Sequence, residues 1–206
     1  MLAQVMRLPF VDSGAMYRSV TLKAIREGVD LTDPKALERV ARRAKIKLSV
    51  MSRGKQKVFL DGRDVTKAIR TPELTEKVFY IAREPKVRRE MVRQQRLMAK
   101  RSGAVMEGRD IGTVVFPKAD YKFFFIASDA IRARRRYREL KAAGKKVSIK
   151  EVLKDMLRRD RHDRTRKEGP LRKAKDAFTI DTTPLTIKAT VDRILATIKA
   201  HPKGRR

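Results

Sequence analysis

The sequence predicts an α/β fold, a parallel sheet with helices on both faces, and three observations carry that expectation. Short apolar runs alternate with stretches of helical period. One run, YKFFFIA at Tyr121–Ala127, is continuously apolar, the pattern of a strand buried on both faces of a parallel sheet. The chain has 206 residues, 41% of them hydrophobic, which is enough for one core and excludes wholesale disorder.

Taken in order, strand-like runs fall at Leu8–Val11, Ala104–Met106, Tyr121–Ala127 and Ala177–Ile180. Helical periods follow the first, third and fourth, over Ala15–Glu27, Asp129–Ala143 and Pro184–Ala200. Residues 46–102 break this rhythm. They read as a hairpin with its turn near Gly54, then two polar helices, Pro72–Arg83 and Pro85–Lys100, each with proline at its start. No Gly/Ser-rich linker borders this stretch, so it is expected to be a lobe inserted into a single domain spanning 1–206.

Composition narrows the function. With no cysteine and two histidines, His162 and His201, the chain offers no disulfide scaffold, thiol nucleophile or zinc site, and no metal-ligating residue is predicted. No apolar run approaches the ~20 residues that span a bilayer, and the start lacks a signal-peptide pattern, so a cytoplasmic protein without a membrane partner is expected. Lys and Arg number 53 against 24 Asp and Glu, a net charge of +29 that attracts polyanions of any kind. Between residues 129 and 175 the count is 19 basic to 7 acidic, mostly ordinary solvated helix faces.

Three strings stand out. Asp12-Ser13-Gly14-Ala15-Met16-Tyr17-Arg18 runs from the first strand into a helix, where Asp12 or Ser13 can cap. Glu107-Gly108-Arg109-Asp110-Ile111-Gly112-Thr113 follows the second strand, and ligands of open α/β sheets bind at such carboxyl ends. A plain cap and a loop salt bridge between Arg109 and Asp110 are the bland readings of these two. In the third string, Arg159, Asp163 and Arg166 are spaced i, i+4 and i+7. A helix would project them from one face as a clamp for phosphate and ribose, ended by Gly169-Pro170.

In sequence order, DSGAMYR, VFLDGRDVTKAIRTPELTEKV, PKVRREMVRQQR, EGRDIGTVVFP and RRDRHDRTR resemble the bacterial cytidylate kinases, over about residues 2–198. The resemblance implies a P-loop nucleoside-monophosphate-kinase-like parallel sheet, an inserted monophosphate-binding lobe at 46–102 and a lid at 148–170. It implies a monomeric enzyme that transfers phosphoryl from ATP, with Mg²⁺, to CMP or dCMP. Matched position by position, Ser13, Tyr17 and Arg18 line the CMP pocket, Arg109 binds phosphate and Asp110 meets the cytosine amino group. Arg88 is a base-side arginine of the lobe and Asp163 a ribose contact. Arg159, also at the ribose, and Arg166, at the transferred phosphoryl, are the catalytic pair, arriving as the lid closes. Arg132 and Arg135 lie on the ATP side. An Asp110 carboxylate accepts from the cytosine amino group and is repelled by the uracil carbonyl.

Two departures from the family qualify this. Phe79 stands where the family has a base-contacting serine, so stacking replaces a hydrogen bond. No G-x-x-x-x-G-K-[ST] occurs, and LAQVMRLPFVDSGAMYR resembles the end of the family's first helix running into its second strand. The reading therefore expects the first, central strand and its phosphate loop to lie upstream of Met1, and the chain as written to be impaired. The rival reading is a non-catalytic, basic nucleic-acid-binding relic of a kinase. Its charge admits that partner, but 6% aromatic content and no aromatic-rich basic strand disfavour it.

Overall fold

The computed structural model describes residues 1–50 and 56–202. It divides into two compact units, one of Met1–Phe116 with Lys167–Gly169 and one of Pro117–Arg166 with Pro170–Arg206.

The first unit opens with α1 (Leu2–Val5), β1 (Phe10–Asp12), α2 (Ser13–Arg26) and α3 (Pro34–Arg43). Strands β2 (Ile46–Val50), β3 (Gln56–Leu60) and β4 (Arg63–Asp64) then form a three-stranded antiparallel sheet, with Ile46 opposite Leu60. The turn expected near Gly54 lies outside the described residues. A 3₁₀ turn at Ala68–Arg70 leads to α4 (Pro72–Ala82) and α5 (Pro85–Ala99), the two helices whose leading prolines marked them in the sequence. Proline suits a first helical position because its missing N–H has no partner there in any case. β5 (Val105–Glu107) and a π-turn at Ile111–Val115 complete the unit.

Helix α3 was not anticipated. Its signal is local: Asp33 accepts from the Lys35 and Ala36 amides, Pro34 follows, and Leu37, Val40 and Ala41 share one buried face. Alternation along β3 turns Val58 and Leu60 inward. Met16, Val20, Leu37, Ile69, Ile81 and Met91, from four helices and the 3₁₀ turn, fill the core behind the antiparallel sheet. Burying each such side chain contributes about 1.5–3 kcal/mol.

The second unit holds β6 (Phe123–Ile126), α6 (Asp129–Ala142), α7 (Ile149–Thr165), β7 (Phe178–Asp181) and α8 (Ile187–Ala200). Hydroxyl caps start all three helices: Ser128, Ser148 and Thr186. Ser148 and Glu151 form a reciprocal capping box. The buried Lys122 ammonium is neutralised by Asp176 at 2.7 Å and also donates to the Pro117 carbonyl.

Among the described residues the parallel strands make two separate pairs, β1–β5 and β6–β7, one in each unit. The YKFFFIA run departs from its expectation. Only Phe123–Ile126 is strand, and Phe125 and Ile126 are 52% and 44% exposed rather than buried on both faces. A sheet two strands wide cannot cover both faces along the whole length of β6.

Candidate active site

At the carboxyl ends of β1 and β5, which run parallel with Asp12 opposite Glu107, the first two sequence strings come together. Asp12 is the cap of α2: its Oδ1 accepts from the Ala15 amide at 2.8 Å. Its Oδ2 accepts from Arg18 Nη2 at 3.0 Å. Ser13, buried at the start of α2, donates from Oγ to the Glu107 carbonyl at 2.8 Å and so ties the two strand ends together. Gly108 makes that approach feasible, since a Cβ there would come within 2.2 Å of Ser13 Oγ.

One turn into α2, the buried Tyr17 ring lies 5.7 Å from the Arg88 guanidinium of α5. Arg88 is itself buried; Nη1 donates to the Ala82 carbonyl at 3.1 Å and Nη2 to the Asp110 carboxylate. With side chains 5% and 8% exposed, this is a desolvated ion pair, held by good geometry rather than by surface attraction. Asp110 thus takes part in an ion pair that reaches across 22 residues to Arg88. Gly169 presses on the same pair. Its φ is +55°, and a Cβ there would meet Arg88 Nη2 at 2.2 Å and Asp110 Oδ2 at 2.4 Å.

Five arginine and carboxyl groups set the local field. The Glu107 carboxyl keeps an opening to solvent, yet the surrounding protein and then Asp12 raise its pKa, opposed by Arg18, Arg109 and Arg70. Burial lowers the Arg18 pKa, with Asp12 opposing that shift and Arg70 reinforcing it. Arg18 Nε is a buried donor with no hydrogen-bond partner among the described residues. Three guanidiniums close to a donor of this kind suit a phosphate group, whose oxygens accept bidentate bonds. Arg70, at the end of the 3₁₀ turn, was missed by sequence reasoning. Its signals were its place just before the Thr71-Pro72 helix start and its membership of the VFLDGRDVTKAIRTPELTEKV string.

In the second unit Arg159, Asp163 and Arg166 depart from a single helix face. α7 stops at Thr165, and Arg166 is its extended C-cap, with φ −61° and ψ 142°. The i, i+4, i+7 geometry therefore fails at its last member, because the backbone has left the helix. Arg166 still lies 3.5 Å from Asp163 Oδ1, while Arg159 is exposed on α7. Arg132 pairs with Asp160 at 2.6 Å and with Asp129 at 3.1 Å. Arg135 donates to the Thr182 and Leu185 carbonyls at 2.6 and 3.0 Å, pinning the loop after β7. Arg132 and Arg135 are thus engaged in holding their own unit together. Among the described residues no three His, Asp or Glu side chains converge as metal ligands, and no helix is long and apolar enough to cross a membrane.

A cytidylate kinase family profile matches residues 1–200. A cytidylate kinase of Caldanaerobacter subterraneus is 44% identical over 203 residues, covering 98% of this chain and 88% of that protein. One of Pelotomaculum thermopropionicum is 47% identical over 197 residues, 96% of this chain and 86% of its own length. One of Bacillus subtilis is 45% identical over 190 residues, 92% and 84% respectively. Similarity at this level over nearly every residue makes this chain a member of the cytidylate kinase family.

Proposed function

We propose that the chain transfers the γ-phosphoryl group of ATP to CMP or dCMP, and that the first unit binds the acceptor at the carboxyl ends of β1 and β5. The observations that carry this are the buried Arg88–Asp110 pair and the buried Arg18 Nε, which has no hydrogen-bond partner among the described residues. Cytosine presents an amino donor beside acceptors at N3 and O2. A carboxylate next to a guanidinium is the complementary set, whereas uracil would turn a carbonyl toward Asp110. Ser13, Tyr17, Arg18 and Arg109 hold the phosphate end, with Arg70 adding charge. Phe79, 40% exposed on α4 with Arg83 5.3 Å over its ring, offers a stacking face and no hydrogen bond.

The attacking phosphate oxygen is already an anion, so no strong general base is needed. Rate then comes from holding the acceptor in line and from neutralising charge that spreads over the transferred group. Arg159 and Arg166 are assigned to that neutralisation, Asp163 to the ribose, and Arg132 and Arg135 to the ATP side, all on the family motif. The lobe at 46–102 and the lid at 148–170 are assigned on the same grounds. Mg²⁺ supplies charge shielding when bound.

Calorimetric titration of CMP, dCMP and UMP into the purified chain, with product analysis after addition of ATP, tests this. CMP is expected to bind more tightly than UMP, and Asp110→Asn to erase that preference. Arg166→Ala should lower turnover much more than CMP affinity. Equal binding of CMP and UMP by the parent chain overturns the acceptor assignment, and equal turnover in Arg166→Ala overturns the catalytic one.

A further inference from the structure

We propose that Asp12 is a positioning residue: its carboxylate sets the Arg18 guanidinium that grips the phosphate of the acceptor. This rests on the acceptor site described above and deepens it. The carboxylate does two jobs at once. Oδ1 holds the Ala15 amide and starts α2, and Oδ2 holds Arg18 Nη2, so one rigid group fixes both the helix start and the long side chain reaching back over it. Gly14 lies beneath that bridge. A Cβ there would stand 3.0 Å from Arg18 Nη1 and 3.1 Å from Asp12 Oδ1, so the bridge occupies the space that a side chain would take.

With Nη2 held, the arginine presents its buried Nε, which has no partner among the described residues. A guanidinium held at one end lies ready to meet a phosphate. An untethered arginine would have to lose its rotamer freedom on binding, which weakens association. The position of Asp12 is also costly for an anion site. On charge alone, a carboxylate beside Arg18 and opposite Glu107 in strand register should repel phosphate. Charge and positioning therefore predict opposite signs for the same substitution.

Asp12→Asn separates these effects, because asparagine caps a helix as well as aspartate does but carries no charge to hold Arg18. Asp12→Ser, another good cap with a shorter reach, serves as the second variant, and circular dichroism with melting confirms that each folds. CMP and cytidine are titrated calorimetrically into the parent, both Asp12 variants, Arg18→Gln and the Asp12→Asn/Arg18→Gln double variant. Both Asp12 variants are expected to bind CMP about threefold to tenfold more weakly, the factor that freeing one long side chain implies. Cytidine, which lacks the phosphate, should bind them as it binds the parent. In the Arg18→Gln background the Asp12 substitution should cost nothing further.

Unchanged or tighter CMP binding in the Asp12 variants overturns the proposal while leaving the acceptor site standing. So does an equal loss for cytidine, or a full additional loss in the double variant. If Arg18→Gln itself leaves CMP binding intact, the acceptor site is misassigned and the proposal falls with it.

Discussion

At the end of β5, the Glu107 carboxyl sits across from Asp12 with three arginines nearby, and its pKa is raised by the surrounding protein and by that neighbouring charge. For an acid, a raised folded-state pKa means that the folded chain holds the proton more tightly than the unfolded one. Stability on this account is full below the ordinary carboxylate range and falls as pH rises through the window up to the raised value. Glu107→Gln removes that dependence and leaves the backbone carbonyl that Ser13 uses. Melting temperatures from about pH 4 to about pH 8 should show the variant gaining on the parent as pH rises. A parallel pair of curves sinks the assignment. The residues proposed for the acceptor site, Arg70 apart, were legible because each belongs to a short string that carries its own chemistry. Their bonding partners were not. Asp110 is joined to Arg88, 22 residues away along the chain, a pairing made by tertiary packing. Gly169-Pro170 announced an end to α7, but the helix already stops at Thr165, which leaves Arg166 extended.

Helix α2 begins at a glycine-containing turn that serves both its stability and its chemistry. Gly14→Ala adds a residue of better helix propensity, worth up to ~1 kcal/mol in a helix interior, but drives a methyl group against the Asp12–Arg18 bridge. The two outcomes should separate, with thermal stability changing by less than about 1 kcal/mol while calorimetry shows weaker CMP binding. Unaltered CMP affinity would mean that the bridge yields without consequence. Elements with proline or a hydroxyl at their start were readable from sequence, as α4, α5 and α6 show. Helix α3 carried the same kind of signal in Asp33-Pro34 but sits in a charged, short stretch. The exposure of β6 was not readable, since an apolar run reports what a strand could bury and not how many neighbours it has.

Across the molecule, 53 basic side chains repel one another, and the many ion pairs lie mostly at the surface, where each contributes little. Salt should therefore stabilise this chain. Raising NaCl from about 0.01 M to about 0.15 M shortens the screening length from about 30 Å to about 8 Å and should raise the melting temperature. A flat or falling curve would show the excess charge to be compensated locally. Any association with RNA through the same charge should weaken steeply over that range. The α/β class was legible at this scale because alternation of strand and helix survives in the sequence. The split of the parallel strands into two pairs was not, since pairing is decided by residues far apart along the chain.

That distance has a consequence for how the protein is made. β1 finds its partner about 95 residues later in the chain, with the antiparallel sheet and four α-helices in between. At synthesis rates of ~5–20 residues per second, β1 waits about 5–20 s on the ribosome before β5 has been translated, its backbone groups unmatched and open to chaperones. The strand ends that Ser13 ties together are thus joined only after the antiparallel sheet that lies between them in the chain has been translated.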